Sequence, residues 1–533
     1  MNSRKIITGV AASAALATVL AGCGGTTQAG ATDKNGKPLV EVMVVTRSEV
    51  RSLKDLAWTK KLTAACDCTI KWSQVGGTAW TQQKNPMLAS GSVPDISIAA
   101  FDPSDADQMP QFEELTQHLD QMPNVKEFLE TKPNAKKLVA NPEGKVYVLP
   151  SDRGEQYYGS GQHMLINKTW LDKLGLQIPK TWDELEQVLE AFKTQDPNGN
   201  GKADEIPMNI VKFDSSGFGP SWYNPFLFLN SLGIVTHFNS GASQQGIYVK
   251  DGKVGNFMAT DEFKQVVKYL HELMSKGLIP SDAITKASEK YTAELKSDGK
   301  TAQVGVAFAY AATDFGDLGD QYVAMPAPAG PGMSADDVTW DGSVETTMFA
   351  NNRVAVKKDA PNMEPILKIV NALYDPETTL EQIYGAVPEY MTKESDTKYK
   401  LTDAYYDSWN DDGKSPSLGG ESAAGWVPDG ITVDNVNFLE SFRKADDVYA
   451  EQYKHFDLTK DVLPDYVRPD ETDSTTISNN DTQMFDYAMP VISRWIVSGG
   501  VDGEFSDFVA KLKQLGMDDN VALWQKWYDK YTK

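Results

Sequence analysis

The chain is poor in cysteine, histidine and arginine, and it has no long apolar run beyond its amino end. Its 533 residues include three Cys, five His and eight Arg. The formal net charge of -23 excludes nucleic acid and anionic lipid as expected partners, because both are bound by clustered Lys and Arg. No G-x-S-x-G, Walker or H-E-x-x-H motif occurs. These absences argue against the hydrolase, nucleotide-binding and zinc-enzyme classes that such motifs mark.

The one apolar run, at the amino end, predicts a lipoprotein signal peptide. Two basic residues precede it, and the run ends in L-A-G-C, a lipobox whose cysteine is Cys23. Its length of about fifteen residues falls short of the roughly 20 that a spanning helix needs, which disfavours a transmembrane anchor. We expect residues 1–22 to be removed, Cys23 to be lipidated and residues 23–38 to form a flexible stalk on the outer face of the cytoplasmic membrane.

After the stalk, short apolar runs alternate with amphipathic segments. Leu39 to Thr46 is typical of a buried strand, Asp55 to Ala65 of a helix, and Thr69 to Val75 of a second strand. Strands separated by helices predict an α/β fold built on largely parallel sheets. A polar, Gly-rich passage from Ser151 to Gly161 predicts the first of several crossings between two lobes.

Two lobes joined by repeated crossings form a hinge, and ligands of open α/β sheets bind in the cleft at the strand ends. The sequence therefore predicts a two-lobed fold with an inter-lobe cleft. We assign residues 39–155 and 304–355 to the first lobe. Residues 156–303 and 356–533, which include the C-terminal helices, are assigned to the second.

A capped helix followed by an acidic turn is the most specific local pattern. Thr181 and Glu184 form a capping box before an amphipathic helix that we expect to end at Lys193. The turn after it has the oxygen spacing of the front half of an EF-hand loop, but Pro207 occupies the position of the closing Glu. The predicted calcium ligands are Asp196, Asn198, Asn200, the Lys202 carbonyl, Asp204 and Glu205. The alternative is an Asn-Gly turn whose acids face water.

Cys66 and Cys68 remain once Cys23 is lipidated. A disulfide between them closes a tight ring and suits an oxidising exterior, and it is preferred here over two free thiols or a metal site. A redox motif usually has the spacing C-x-x-C, so redox catalysis is disfavoured.

Several motifs in order along the chain carry a family resemblance. They are I-N-K-T-W-L-D-K-L-G from Ile166, P-K-T-W-D-E-L from Pro179, D-P-N-G-N-G-K-A-D-E-I-P from Asp196, A-S-G-S-V-P-D-I from Ala89 and Y-V-A-M-P-A-P-A-G-P from Tyr322. The chain resembles the extracellular solute-binding proteins of carbohydrate ABC transporters, especially large calcium-containing binders of alginate and fructo-oligosaccharides. The resemblance implies a periplasmic-binding-protein-like fold that closes on its ligand, a structural calcium ion and an ABC permease as partner.

Sugar sites combine aromatic platforms with carboxylates, amides and Arg. Aromatic residues and their polar neighbours in predicted loops are therefore the candidate ligand contacts: Trp80, Asp152, Arg153, Tyr157, Tyr158, Trp222, Tyr223, Trp340, Asp341 and Trp426. Each of them could instead pack beneath its loop. The remaining tryptophans that lie within helical patterns, such as Trp58, Trp170 and Trp182, are expected in the core.

The ligand is expected to be an uncharged oligosaccharide. Of the eight Arg, only Arg153 lies in a stretch that we place in the cleft, whereas a strongly anionic sugar would require several. The sequence thus favours a monomeric, lipid-anchored, non-enzymatic binding protein. The alternatives are a cell-surface glycoside hydrolase, since pairs of acids are abundant, and a non-catalytic glycan sensor.

Overall fold

The computed structural model describes residues 30–212, 217–219, 223–411 and 414–533. Cys23 and Trp222 lie outside the described residues. The strands within them are β1 (Leu39–Thr46), β2 (Thr69–Gly76), β3 (Ile96–Ile98), β4 (Val148–Asp152), β5 (His163–Asn167), β6 (Ile206–Asn209), β7 (Ile247–Lys250), β8 (Lys253–Asn256), β9 (Val304–Ala309), β10 (Tyr322–Ala324), β11 (Phe349–Val356), β12 (Met391–Lys393), β13 (Lys398–Leu401) and β14 (Thr432–Asp434).

Two sheets organise the molecule. The first has the order β2-β1-β3-β11-β4, and the second the order β10-β5-β9-β6. In the first sheet β1 runs parallel to β2 and β3, with Val42 opposite Trp72 on one side and Ile96 on the other. We call the part built on the first sheet the first lobe, and the part built on the second sheet the second lobe. The α/β class and the two-lobed architecture expected from the sequence are confirmed.

The strand β9 belongs to the second sheet, where it pairs antiparallel with β5 and parallel with β6. The sequence analysis assigned β9 to the first lobe, and that assignment is wrong. All six residues of β9 are buried. Such a strand fits the centre of either sheet, so its apolar pattern carries no information about its partners.

The helices are α1 (Ala57–Cys66), α2 (Gly77–Ser90), α3 (Pro103–Gln108), α4 (Pro123–Thr131), α5 (Pro133–Val139), α6 (Lys168–Leu174), α7 (Trp182–Thr194), α8 (Gly241–Gln244), α9 (Asp261–Ser275), α10 (Ser288–Lys296), α11 (Met363–Leu373), α12 (Pro376–Tyr384), α13 (Asp403–Asp411), α14 (Asn437–Asp446), α15 (Glu471–Ser498), α16 (Val501–Gln514) and α17 (Met517–Thr532). Among the described residues no helix has both the length and the apolarity to cross a membrane.

The C-terminal region divides between the two lobes. Helices α11 and α12 pack on α1, and their apolar side chains join the first-lobe core with Trp58 and Phe128. Helices α15 and α16 pack on α9 in the second lobe. The sequence analysis assigned all of 356–533 to the second lobe, which is incorrect for α11 and α12. An amphipathic helix signals that one face is buried, not which sheet buries it.

Helix α7 follows its predicted bounds. The Thr181 hydroxyl accepts a hydrogen bond from the Glu184 amide at 3.2 Å, as the first half of a capping box requires. The Glu184 carboxylate instead accepts from the Lys180 amide at 2.7 Å, so the reciprocal half of the box is displaced by one residue. Trp182 is buried and stacks on Tyr269 with ring centroids 4.2 Å apart, which confirms its core role.

Candidate functional site

The carboxyl ends of parallel strands meet at one edge of the first sheet. Strand β11 is antiparallel to both β3 and β4, so β1, β3 and β4 run in the same direction. Arg47 follows β1 and Arg153 follows β4, and both residues therefore leave the sheet at this edge. This is the edge at which α/β proteins bind their ligands.

Three guanidinium groups gather at this edge around one carboxylate. Arg153 Nη1 donates to Glu421 Oε1 at 2.9 Å, and Arg47 Nε lies 3.9 Å from Glu421 Oε2. Arg353, in β11, is 5% exposed. Its burial, followed by repulsion from Arg153, lowers the pKa of Arg353 to about 10. We call Arg47, Arg153, Arg353 and Glu421 the arginine cluster. The expectation that Arg153 alone supplies a guanidinium to the cleft is thus wrong.

The guanidinium groups of the cluster are incompletely paired. The Nε atoms of Arg153 and Arg353 are both buried without a hydrogen-bond partner. Arg353 Nη1 donates to the side chain of its neighbour Asn352. Buried donors of this kind seek an acceptor, because an unsatisfied polar group in the interior costs about 1 to 3 kcal/mol.

The ring of Tyr157 packs against the Arg153 guanidinium of the cluster. The Arg153 guanidinium lies 4.8 Å from the centre of the Tyr157 ring, and the hydroxyls of Tyr157 and Tyr384 are 3.2 Å apart. Tyr157 is 3% exposed, so in this structure it positions Arg153 instead of offering an open platform. The neighbouring Tyr158 is 42% exposed and remains accessible.

The second lobe presents its own strand ends to the arginine cluster. Tyr310 follows β9, stacks on Phe442 at 5.2 Å and interacts electrostatically with Arg153 and Glu421. Its backbone amide donates to Asp314 Oδ2 at 2.9 Å. The carboxyl end of β9 therefore lies near the arginine cluster, where we place the inter-lobe cleft. Sequence analysis missed Tyr310, although an aromatic residue directly after a buried strand was a usable signal.

Tyr223 lies on the same side of the cleft as Tyr310. It is half-buried, and its ring packs on Tyr291 with centroids 5.2 Å apart. Burial, followed by the negative charge of Asp314, raises the pKa of Tyr223 to about 12. Its hydroxyl is protonated at neutral pH, as that of an ordinary tyrosine is, and can donate a hydrogen bond.

Three predicted platforms pack in the core instead. Trp80 belongs to α2 and donates from Nε1 to the Ala100 carbonyl at 2.9 Å. Trp340 is 1% exposed, stacks on Tyr449 at 4.2 Å and donates to the Gln162 carbonyl at 2.8 Å. Trp426 is buried with its ring 5.4 Å from Phe128. In this structure these rings support the loops around the cleft, because their faces are covered.

The predicted carboxylates Asp152 and Asp341 are buried and organise their own loops. Asp152 Oδ1 accepts from the Gly154 amide at 2.7 Å, and burial raises the pKa of Asp152 to about 6 although Lys132 lies nearby. Asp341 Oδ2 accepts from the Thr236 hydroxyl at 2.7 Å and from the Phe238 amide at 3.0 Å. Both carboxylates shape the crossings between the lobes.

The predicted calcium ligands lie together in the turn after α7, which we call the acidic turn (residues 196–205). Asn198 Nδ2 and Asn200 Nδ2 donate to Asp204 Oδ1 at 3.2 and 3.0 Å, and the Gly201 amide donates to Asp196 Oδ2 at 3.1 Å. Burial and repulsion from Asp196 and Asp204 raise the pKa of Glu205. Hydrogen bonds from Asn200 and Asn198 instead lower the pKa of Asp204, so the repulsion bears on Glu205.

Two oxygens of the acidic turn are buried without a hydrogen-bond partner, Asp196 Oδ1 and Glu205 Oε1. Orphaned carboxylate oxygens suit a hard cation. Within the described part of the chain, however, no three acidic, His or Cys side chains converge as a metal-binding group. The amide nitrogens of Asn198 and Asn200 face Asp204 in this arrangement, so their oxygens point elsewhere.

The alternatives left open for the remaining cysteines are resolved. Cys66 and Cys68 form a disulfide with Cα atoms 5.1 Å apart. Both residues are buried. Cys66 ends α1 and Cys68 precedes β2, so they lie at the amino end of that strand and not at its carboxyl end, where the cleft edge is. The bond therefore has a place in the first-lobe core and not in the candidate site.

Comparison with known proteins extends over most of the chain. The family described as bacterial extracellular solute-binding protein matches residues 47–380. The fructooligosaccharide ABC transporter substrate-binding protein FusA of Streptococcus pneumoniae is 29% identical over 476 residues, which cover 85% of this chain and 83% of that protein.

Solved structures give the same picture at higher identity. An HMO binding ABC-transporter associated solute-binding protein from Bifidobacterium longum infantis is 47% identical, with a TM-score of 0.90 over 93% of this chain and 100% of that one. An extracellular solute-binding protein from Bifidobacterium longum subsp. infantis is 44% identical, with a TM-score of 0.91 over 94% of this chain and 100% of that one.

Proposed function

The chain belongs to the bacterial extracellular solute-binding proteins, and we propose that it captures an uncharged oligosaccharide in the inter-lobe cleft and delivers it to a permease. It is the substrate-binding component of a sugar ABC importer. The observation that carries the ligand class is the pairing of tyrosines with hydrogen-bonding charged groups at the facing strand ends. Tyr223 and Tyr310 supply rings, while Arg153 and Glu421 supply a donor and an acceptor for hydroxyl groups.

Several arginines lie at the cleft, so a scarcity of arginine cannot be the argument for a neutral ligand. The argument depends instead on Glu421. Its carboxylate accepts from Arg153 and lies close to Arg47. An ion pair of this kind offers a neutral sugar both a hydrogen-bond donor and a hydrogen-bond acceptor. We propose a ligand of several sugar units, in keeping with the fructooligosaccharide that names one relative.

The proposal is tested by thermal unfolding of the purified protein against a panel of neutral oligosaccharides. A ligand present at about 100 Kd should raise the free energy of unfolding by about 2.7 kcal/mol. A panel without any stabilising glycan would overturn the proposal.

The known relatives are described as binding proteins, and we propose that this chain too lacks catalysis. Gradual consumption of a panel glycan would instead favour a glycoside hydrolase, and binding without transport in a permease assay would favour a sensor.

We also propose that the mature protein is a monomer tethered through a lipid on Cys23 to the outer face of the cytoplasmic membrane. The support is the lipobox L-A-G-C together with the short apolar run before it. A Cys23→Ala variant should appear in the medium instead of the membrane fraction. Retention of that variant in the membrane fraction would rule the anchor out.

The acidic turn is proposed to hold one structural calcium ion. Asp196, Asn198, Asn200, Asp204 and Glu205, with the Lys202 carbonyl, would be its ligands. The supporting observations are the two orphaned carboxylate oxygens and the raised pKa of Glu205. A bound cation would turn the repulsion among the three carboxylates into attraction and would stiffen the start of β6.

A further inference from the structure

The arginine cluster is assembled from four separate segments of the first lobe. Arg47 and Arg153 follow β1 and β4, Arg353 lies in β11, and Glu421 belongs to the loop between α13 and β14. Three positive groups therefore meet one negative group in a chain whose formal net charge is -23. A local excess of positive charge in so acidic a protein calls for a physical reason.

A set of guanidinium groups at this spacing is suited to a carboxylate. Arginine presents a planar fork of donors that matches the two oxygens of a carboxylate, and such charge-assisted hydrogen bonds are stronger than neutral ones. The unpartnered Nε atoms of Arg153 and Arg353 leave further donors at the same place. The carboxylate that now occupies the position is the protein's own Glu421, whose side chain is 57% exposed.

The loop that carries Glu421 runs close to Arg153. A Cβ atom on the preceding Gly420 would lie 2.6 Å from Arg153 Cδ, so a larger residue at position 420 would force the Arg153 side chain to shift. Burial alone would raise the pKa of Glu421, but Arg153, Arg47 and Arg353 together lower it. The carboxyl group is therefore ionised at neutral pH, and its approach to the arginines is built into the loop.

We infer that Glu421 is a specificity-determining residue: its carboxylate occupies the anion position of the arginine cluster, so that the cleft accepts neutral sugars and disfavours sugars that carry a carboxylate. An acidic ligand would have to displace Glu421 or bear a second negative charge beside it. Like charges juxtaposed in a partly desolvated site oppose binding. The inference rests on the proposed function, since it concerns the selectivity of the same cleft.

A merely structural role for Glu421 predicts different effects of mutation on ligand binding. If Glu421 only tied its loop to Arg153, then Glu421→Gln would lower stability and weaken neutral and acidic ligands alike. Exclusion of anions predicts opposite changes for the two. Glutamine keeps the size and one acceptor oxygen of glutamate while removing its charge, and is therefore the informative substitution.

The test measures binding of glucose and glucuronate, a neutral and a carboxylate-bearing sugar of the same size, by calorimetry at low salt. Wild-type protein should bind glucuronate more weakly than glucose. Glu421→Gln should increase glucuronate affinity by roughly tenfold, the effect of uncovering one charge-assisted contact, and should lower glucose affinity, because an amide oxygen is a weaker acceptor for a sugar hydroxyl than a carboxylate. The matched control is Glu377→Gln, which removes a carboxylate paired with Lys61, outside the arginine cluster.

A second variant identifies the groups responsible. Arg153→Gln combined with Glu421→Gln should lose the glucuronate affinity gained by the single variant, because Arg153 is the donor that Glu421 covers. Equal changes for both sugars in Glu421→Gln, or the same gain in Glu377→Gln, would overturn the inference.

Failure of the inference and failure of the proposed function are distinguishable. If Glu421→Gln gains glucuronate binding while no oligosaccharide of the neutral panel stabilises the wild-type protein, the role of Glu421 stands and the proposed ligand class falls. If the panel yields a neutral ligand but the variant gains nothing toward glucuronate, the ligand class stands and the inference is overturned.

Discussion

The arginine cluster and the acidic turn carry unbalanced charge of opposite sign, and they tolerate it differently. In the cluster, Arg153 and Arg353 are largely buried and are brought together by strands that lie far apart in sequence. In the acidic turn, the three carboxylates lie within ten consecutive residues, and Asp204 is surrounded by the rotatable amides of Asn198 and Asn200.

Preorganisation of the two regions has different origins. The sheet holds Arg153 and Arg353 in place, so these groups and their partner Glu421 are arranged before a ligand binds. The acidic turn can relax by rotating side chains, so a bound cation would have to reorganise it. A cleft built on strands is suited to specificity, whereas a flexible turn is suited to a stabilising ion.

The largest effect is expected from removing Trp340, which packs beneath the loops around the cleft. Trp340→Ala should lower the free energy of unfolding by about 3 to 5 kcal/mol, because the ring is 1% exposed and stacks on Tyr449. Urea unfolding measures the change. Tyr158→Ala, at a side chain that is 42% exposed, is the control and should cost far less. A stable Trp340→Ala protein with weakened sugar binding would restore the ligand role predicted from the sequence.

The pair of His237 and Asp465 provides the reference. His237 is buried with Nε2 3.4 Å from Asp465 Oδ1, and its Nδ1 lies 3.0 Å from the Leu463 carbonyl. Burial alone would lower the pKa of His237, but Asp465, and more weakly Asp341, raise it to about 9. The pKa is thus higher in the folded than in the unfolded protein. The resulting stability is fully present below about pH 6.5 and is lost as the pH rises through about 9.

This pair should therefore make stability fall between about pH 6.5 and 9, by up to about 3 kcal/mol. The measurement is the free energy of unfolding across that range for wild type and Asp465→Asn. The variant should show a flatter profile and lower stability at pH 6.5. Identical profiles would mean that His237 does not bear the charge assigned to it. Neither chelators nor sugars should alter the difference between the two proteins, since the pair has no charge to be balanced by a ligand.

The acidic turn should respond to calcium in the way that the reference pair does not. Chelation should lower Tm, and calcium at about 100 Kd should restore about 2.7 kcal/mol, because an ion that binds only the folded state stabilises it by mass action. Magnesium should restore less, since its rigid octahedral shell suits this turn poorly. Differential scanning calorimetry measures each effect.

Asp196→Ala with Asp204→Ala should abolish the calcium response and leave sugar affinity within a few-fold. The matched control is Asp120→Ala with Asp396→Ala, which removes two highly exposed carboxylates elsewhere. Persistence of calcium stabilisation in the first double variant would place the ion elsewhere. Loss of sugar binding in the folded variant would contradict a purely structural ion.

Local features of this fold were predictable because their determinants lie close together in sequence. The bounds of β1 and of α7, the N-cap at Thr181 and the turn of residues 196–205 all follow from spacing within about a dozen residues. The core position of Trp182 followed from the apolar face of α7. In each case periodicity or capping chemistry determines the local structure without reference to the rest of the chain.

The arginine cluster could not be predicted in the same way, because it depends on strand order. Arg47, Arg153 and Arg353 become neighbours only when β11 inserts between β3 and β4. For the same reason β9 was assigned to the wrong sheet. The roles of Trp340 and Trp426 could not be predicted for another reason. An aromatic residue in a loop can face either a ligand or the core, and the sequence does not distinguish the two. Both rings pack against buried aromatic side chains.

The smallest expected effect tests whether the second lobe completes the cleft. Tyr223 is half-buried on Tyr291 and near Asp314, and its hydroxyl is a hydrogen-bond donor at neutral pH. Tyr223→Ala should weaken binding of the oligosaccharide found in the panel by about 0.5 to 1.5 kcal/mol beyond the loss of contact area, the usual worth of an aromatic contact. Tyr223→Phe should retain the stacking part and lose only the hydrogen bond. Tyr248→Ala, at another half-buried tyrosine but in β7, should leave affinity unchanged. Wild-type affinity in Tyr223→Ala, measured by calorimetry, would confine recognition to the preorganised first-lobe edge and so widen the contrast between the two lobes.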